Sequence, residues 1–259
     1  MSPAAAVRTI PFSRSPAWLL AGALTLLLAG LHLHFIRQAG GFWRDEVNLL
    51  NVADRASWAG LTHDSFPLLL PLLVKVWSGL GGGAESSLRG LGALVGLGLL
   101  GALWISAWTA RRSPPLISLG LLGLNSTVIC YGDELRAYGL GSLTIVLVLA
   151  AGGRFLQKPG WSRAGWFALA AVFSVQALFH NAVLVAAVGL AVAILCARQR
   201  QWRGSLQILA AGGVAALSLL PYLPNFLAGR GAVAVLRSGF DGTKFCRELV
   251  VAAGFPTAG

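Results

Sequence analysis

The feature that most constrains this chain is an alternation: apolar runs of about 15 to 22 residues, each closed by a short polar cluster, with every second cluster basic. A helix rises about 1.5 Å per residue, so roughly 20 apolar residues cross a hydrocarbon layer about 30 Å thick. Such runs occupy residues 17–36, 88–109, 114–131, 137–151, 165–179, 182–197 and 204–220. They predict an all-α polytopic membrane protein with about seven transmembrane helices, because only helices or closed barrels satisfy their backbone groups in lipid. Composition agrees, at 11% charged against the roughly 25% of soluble domains. The net charge of +11 does not imply nucleic acid, since the basic residues sit in clusters between apolar runs and not along one polar face. The partner that this composition requires is a lipid bilayer.

Arg8 and Arg14 precede the first run, and no small-residue cleavage site ends it, so it reads as an uncleaved first span with a cytoplasmic N-terminus. By the positive-inside rule, the clusters at 111–112, 154–163 and 198–203 face the cytoplasm. The acidic stretches Asp45-Glu46 and Asp133-Glu134 then lie together on the opposite, external face. Within an external loop at 37–87, residues 45–58 place Leu49, Val52, Ala53 and Ala56 on one helical face, the pattern of an interfacial helix. A second surface helix is expected at 66–80, which is short, holds Pro67 and Pro71, and carries Lys75 near its middle. Had it crossed, every later basic cluster would face outward. Residues 1–224 thus form one transmembrane module, and 225–259 read as the start of an external segment, truncated within an apolar stretch at 249–259.

With nine acids against twenty Lys and Arg, two carboxylate pairs beside hydrocarbon require a reason. Arg44, His63, Lys75, Arg89, Arg136 and His180 fall on the same predicted face. Fixed cations there would hold an anionic headgroup while a carboxylate acts as base. The competing reading is structural: the acids pair with Arg44, Arg89 and Arg136 to close loops. The four carboxylates with His63 or His180 also offer oxygen-rich ligands for magnesium or manganese, or a mixed set for zinc, though no spacing is diagnostic. Cys130, Cys196 and Cys246 have no metal-type spacing. Gly92 and Gly96 form a GxxxG, read as close helix packing.

The order of Asp45-Glu46 after the first span, Phe66-Pro67-Leu68, Trp77, Glu85, Arg89 and then Tyr131-Gly132-Asp133-Glu134-Leu135-Arg136-Ala137-Tyr138 resembles the N-terminal half of the C-type (GT-C) membrane glycosyltransferases. The branch is similar to the glycosyltransferase family 39-like group, with protein O-mannosyltransferases and lipid A aminoarabinose transferases. Family members commonly carry Pro-Pro-Leu in the first loop, where this chain has Phe66-Pro67-Leu68. The resemblance implies a multi-pass enzyme of the bacterial inner (plasma) membrane and cell envelope, with a periplasmic active site. Such an enzyme moves a sugar from a polyprenyl-phosphate donor to a hydroxyl on a lipid, glycan or protein acceptor. It further implies Asp45 as base, with Glu46 beside it as a tuning or substitute acid. Asp133 and Glu134 would bind a divalent metal or the donor headgroup, with Arg136 and Tyr138 in the same motif. Lys75, Arg89 and Arg136 are the donor-phosphate candidates, and His63 and His180 are candidate substrate contacts. A non-catalytic membrane protein that binds or transports lipid-linked sugar, or an inactive fragment, is the alternative. Charges gathered at span ends favour surface chemistry over passage.

Overall fold

A computed structural model describes residues 16–55, 66–110, 113–228 and 241–252. The described residues are helical and contain no strand. Helix α1 spans Pro16–Gln38. Two short helices follow, α2 (Arg44–Ala53) and α3 (Leu69–Trp77), the latter continuing as a π turn over Ser78–Gly82. That turn is closed at Gly81, whose φ of 93° is open to glycine and strained for other residues. Then come α4 (Glu85–Thr109), the short α5 (Leu116–Ser118) with a π turn over Leu119–Gly123, and α6 (Ser126–Asp133). The second half is a run of antiparallel helices: α7 (Ala137–Gln157), α8 (Trp161–Ala177), α9 (Asn181–Arg198) and α10 (Trp202–Leu217). A 3₁₀ turn over Leu220–Tyr222 leads into α11 (Leu223–Ala228), and α12 covers Gly242–Ala252.

Among the described residues five helices are long and apolar enough to cross a membrane: Pro16–Gln38, Glu85–Thr109, Ala137–Gln157, Asn181–Arg198 and Trp202–Asn225. A sixth crossing results if Leu116–Gly123 and Ser126–Asp133 form one span, although they meet at 72°. The sequence reading drew one straight span at 114–131; the break falls where Asn125 Oδ1 accepts hydrogen bonds from the backbone N–H groups of Thr127 (2.9 Å) and Val128 (3.2 Å). An Asn cap starts a new helix in place of continuing the old one. Helix α8, expected as a further span at 165–179, has 17 residues. The first-loop helices α2 and α3 are too short to cross, as the proline breaks and early polar residues imply. Residues 56–65, which complete the expected helix at 45–58 and include His63, lie outside the described residues, as do 229–240 and 253–259 of the C-terminal segment.

Three apolar clusters hold the bundle together. Phe155, Phe167, Val192, Cys196 and Ile208 join α7 to α10. Leu28, Leu99, Leu103 and Leu119 join α1, α4 and the π turn after α5. Leu49, Leu70, Val74, Leu88 and Leu135 seat α2 and α3 against α4 and the loop before α7. Outside these clusters the long helices expose large apolar side chains, among them Leu26 at 76%, Val183 at 73% and Leu206 at 68%. Water would penalise so much open apolar surface, and acyl chains would not. The chain is accordingly a membrane protein with two chemically distinct ends. One gathers Asp45, Glu46, Glu85, Asp133 and Glu134. The other gathers Arg154, Lys158, Arg163, Arg198, Arg200 and Arg203 at the α7–α8 and α9–α10 turns.

Candidate functional site

The two acidic stretches meet through the backbone. Glu46 is wholly buried, and its two oxygens serve two segments: Oε2 accepts from the N–H of Trp43 at 2.8 Å, and Oε1 from the N–H of Leu135 at 2.8 Å. The first bond closes the N-terminus of α2, where a carboxylate at the third helical position satisfies an orphan donor. The second ties that helix end to the loop between α6 and α7. Glu46 is therefore a clip between the loops, with both oxygens committed to N–H donors.

Its neighbour points outward. The Asp45 side chain is 55% exposed, and its Oδ2 lies 3.8 Å from Nη2 of Arg136. That guanidinium is held on three sides, over the rings of Trp43 (5.7 Å) and Tyr131 (5.9 Å) and beside Glu134. The Glu134 Oε2 to Arg136 Nε distance is 3.1 Å, but the approach is bent, and neither atom has a hydrogen-bond partner among the described residues. Burial pushes the Glu134 carboxyl above the usual glutamate range, more than Arg136 pulls it down, and the nearby Glu46 and Asp45 charges add to the rise. Glu134 and Arg136 are thus close, opposite and imperfectly matched.

Beneath Arg136 a cavity of about 370 Å³ opens among α4, α6 and α7, lined by Thr127, Tyr131, Arg136, Tyr138, Ser142 and the apolar Leu99. Tyr131 and Tyr138 form its aromatic wall, edge to face at 5.9 Å. This opening combines one guanidinium, hydroxyls and apolar walls, which suits a ligand with an anionic group on an apolar tail.

Asp133 turns away from it. Both of its oxygens approach Nδ1 of His32, at 2.7 and 2.8 Å, in a pair buried inside the bundle. Gly92 and Gly96 make the space: a Cβ on Gly92 would run into the Asp133 carbonyl, and one on Gly96 into the Asp133 carboxylate and His32. The GxxxG thus admits an acid-bearing helix end together with a histidine. As arranged, Asp133 and Glu134 share no ligand position, one facing His32 and the other Arg136, and no trio of His, Cys, Asp or Glu among the described residues forms a metal-holding group.

The remaining expected residues are spread out. Lys75 donates to the carbonyls of Ala53 (3.0 Å) and Arg55 (2.8 Å), capping α2. Arg89 reaches the Gly40 carbonyl, pairs with Glu85 at 3.5 Å and covers Phe42 at 4.8 Å. Both cations are engaged in holding the first loop. His180 is exposed at the start of α9, and among the described residues its ring meets neither acidic stretch. His63 lies outside the described residues.

Three groups escaped the sequence reading. His32 was legible as an ionisable side chain inside an apolar run, which is a signal by itself. Tyr131 carries no sequence signal beyond its place in the 131–138 stretch. Tyr222 had no local signal: it is 2% exposed, accepts from the Leu68 N–H at 3.0 Å and donates to Gln176 Oε1 at 2.7 Å, tethering the start of α3 to α8. Comparison of the chain with family models, curated proteins and solved structures gave no match.

Proposed function

We propose that this chain is a polyprenyl-phosphate-sugar-dependent glycosyltransferase, or the catalytic portion of one, working at the external surface of a bacterial plasma membrane. In this reading seven segments cross, α8 and the bent α5–α6 pair included, and α2 and α3 lie at the interface. The observation that carries it is the division of labour between adjacent acids: Glu46 is sealed on two N–H donors, while Asp45 is half-exposed beside Arg136, and Arg136 itself lines a tyrosine-walled cavity. An exposed carboxylate suits a base, and a guanidinium held by two rings suits a leaving phosphate.

Asp45 takes the proton of the acceptor hydroxyl, the hydroxyl oxygen bonds to the anomeric carbon, and the bond from that carbon to the phosphate oxygen breaks. The electron pair leaves on the phosphate, whose charge Arg136 offsets. Tyr131 and Tyr138 would line the path of the sugar or of the first isoprene units. Lys75, Arg89 and Glu46 act at a distance by fixing the loop that carries Asp45.

The test is release of polyprenyl phosphate from a panel of polyprenyl-phosphate hexoses and pentoses, using the full chain in native membranes. Asp45→Asn is expected to lower release by roughly 10²-fold or more at unchanged expression, the usual scale for a general base. Unaltered release in Asp45→Asn would remove Asp45 from the base role, and activity retained in Arg136→Gln would remove the phosphate assignment.

A further inference from the structure

The basic end of the bundle carries its own opening. A cavity of about 480 Å³ runs between α4, α7 and α8, and its lining changes along its length. Thr109, Arg154, Ser162 and Arg163 stand at the outer end, on the last turns of α4 and α7 and the first of α8. Further in, the walls are Leu147, Ala151, Trp166, Leu169 and Phe173. From Ser162 to Phe173 the α8 wall covers about 16 Å at 1.5 Å per residue. The polar atoms are confined to one mouth, and an apolar track follows.

Charge decides what fits the mouth. Between Leu135 and Phe240 the sequence has no Asp or Glu, so Arg154, Lys158, Arg163, Arg198, Arg200 and Arg203 have no carboxylate near them along the chain. The ion pairs among the described residues all use acids of the opposite end. Arg163 is held in place by donating Nη1 to the carbonyls of Arg154 (2.9 Å) and Lys158 (3.2 Å); its other donors have no hydrogen-bond partner among the described residues and can meet an anion. The Arg154 residue is exposed at the same mouth. Leu169 and Phe173 are left 46% and 45% exposed along the track.

We propose that this cavity binds one anionic phospholipid, with its phosphate between Arg154 and Arg163 and one acyl chain along Leu147, Leu169 and Phe173. Two arginines with no counterion among the described residues favour a headgroup of net negative charge, because a zwitterionic head brings its own cation against them. A basic pocket between spanning helices at headgroup depth is a suitable geometry for such a lipid. A free phosphate would use the mouth and leave the apolar track empty. The site does not depend on sugar transfer at the other end.

The experiment titrates the purified full chain, in neutral detergent, with phosphatidylglycerol, phosphatidylcholine or inorganic phosphate and reads bound lipid by native mass spectrometry. Phosphatidylglycerol is expected to bind in preference to phosphatidylcholine, and Arg154→Gln to weaken it by roughly five- to tenfold, the scale of one basic contact at a headgroup. Leu169→Asn keeps both arginines but spoils the track, and should also weaken binding. Phosphatidylglycerol brominated on its chains should quench tryptophan emission, and Trp166→Phe should remove most of that quenching. Equal binding of the two lipids, unchanged affinity in Arg154→Gln or in Leu169→Asn, or quenching untouched by Trp166→Phe would each overturn the proposal. Competition by inorganic phosphate at the same concentration would reassign the mouth to a free anion. Melting of Arg154→Gln in lipid-free detergent is expected to match wild type, since no described side-chain hydrogen bond uses that guanidinium.

Discussion

Gly96→Ala is the substitution on which the buried geometry makes its sharpest commitment. In a helix interior the exchange should by itself stabilise by about 0.5–1 kcal/mol, because alanine loses less backbone entropy. Here the added methyl would stand 2.8 Å from His32 Nδ1 and closer still to the Asp133 carboxylate, so the pair must shift or separate. Overpacking of this kind costs about 1–3 kcal/mol, and full separation of a buried pair about 3–5 kcal/mol. After the helix gain, separation of the pair leaves a net loss of about 2–4 kcal/mol and a shift alone about 0–2 kcal/mol. At roughly 2–4 °C per kcal/mol for a chain of this size, melting should fall by about 5–15 °C on separation and by less than about 10 °C on a shift. Gly101 is the internal control, on the same helix with open space where a Cβ would go. Gly101→Ala should melt at or slightly above wild type. The assay is thermal unfolding of detergent-solubilised protein followed by size exclusion. In an Asp133→Ala background the cost of Gly96→Ala should shrink, since the atom it strikes is gone. Equal melting of Gly96→Ala and Gly101→Ala would refute the placement of the His32–Asp133 pair against α4.

Other outcomes follow from the same contacts. Glu46→Gln replaces one of two accepting oxygens with an NH₂ that faces a backbone donor, and should cost about 2–4 kcal/mol in melting assays, while Asp45→Asn, at an exposed carboxylate, should cost less than about 1 kcal/mol. Tyr222→Phe leaves the Leu68 N–H and Gln176 Oε1 without their shared hydroxyl and should lower stability by about 1–3 kcal/mol, with earlier proteolysis around the start of α3. The raised affinity of Glu134 for its proton fixes a direction with pH. Its contribution favours the fold at low pH and declines as pH rises from the ordinary glutamate value of about 4.3 toward the higher folded value. Glu134→Gln should flatten that part of a melting-versus-pH curve, and an unchanged curve would contradict the burial of this carboxyl.

Much of the bundle could be read from hydropathy because period and length act locally: runs such as 88–109 have nowhere to go but across a bilayer. The break at Asn125 was less legible, since an Asn cap inside an apolar run looks like one tolerated polar residue until its Oδ1 is seen to accept from two N–H groups. The site divides the same way. That two acids mark the first loop was visible in the sequence; that one of them is buried was not. Adjacent helical residues differ by about 100° in direction, and which direction faces protein depends on where Leu135 lies, 89 residues along the chain. Lys75 and Arg89, read as phosphate candidates from charge alone, bind backbone carbonyls that only tertiary contact brings within reach.

By itself, then, the sequence determined an all-helical membrane chain with its acids at one end and its basic clusters at the other, since burying polar backbone and charge in hydrocarbon is too costly for any other arrangement. The tertiary structure decided what each charge does. It sealed Glu46 on two N–H donors, paired Asp133 with His32 beside Gly96, and left Asp45 exposed beside Arg136, which lines a cavity. Those choices turn on distances of a few ångströms between segments far apart in sequence, where a hydrogen bond or its absence sets the cost of burial.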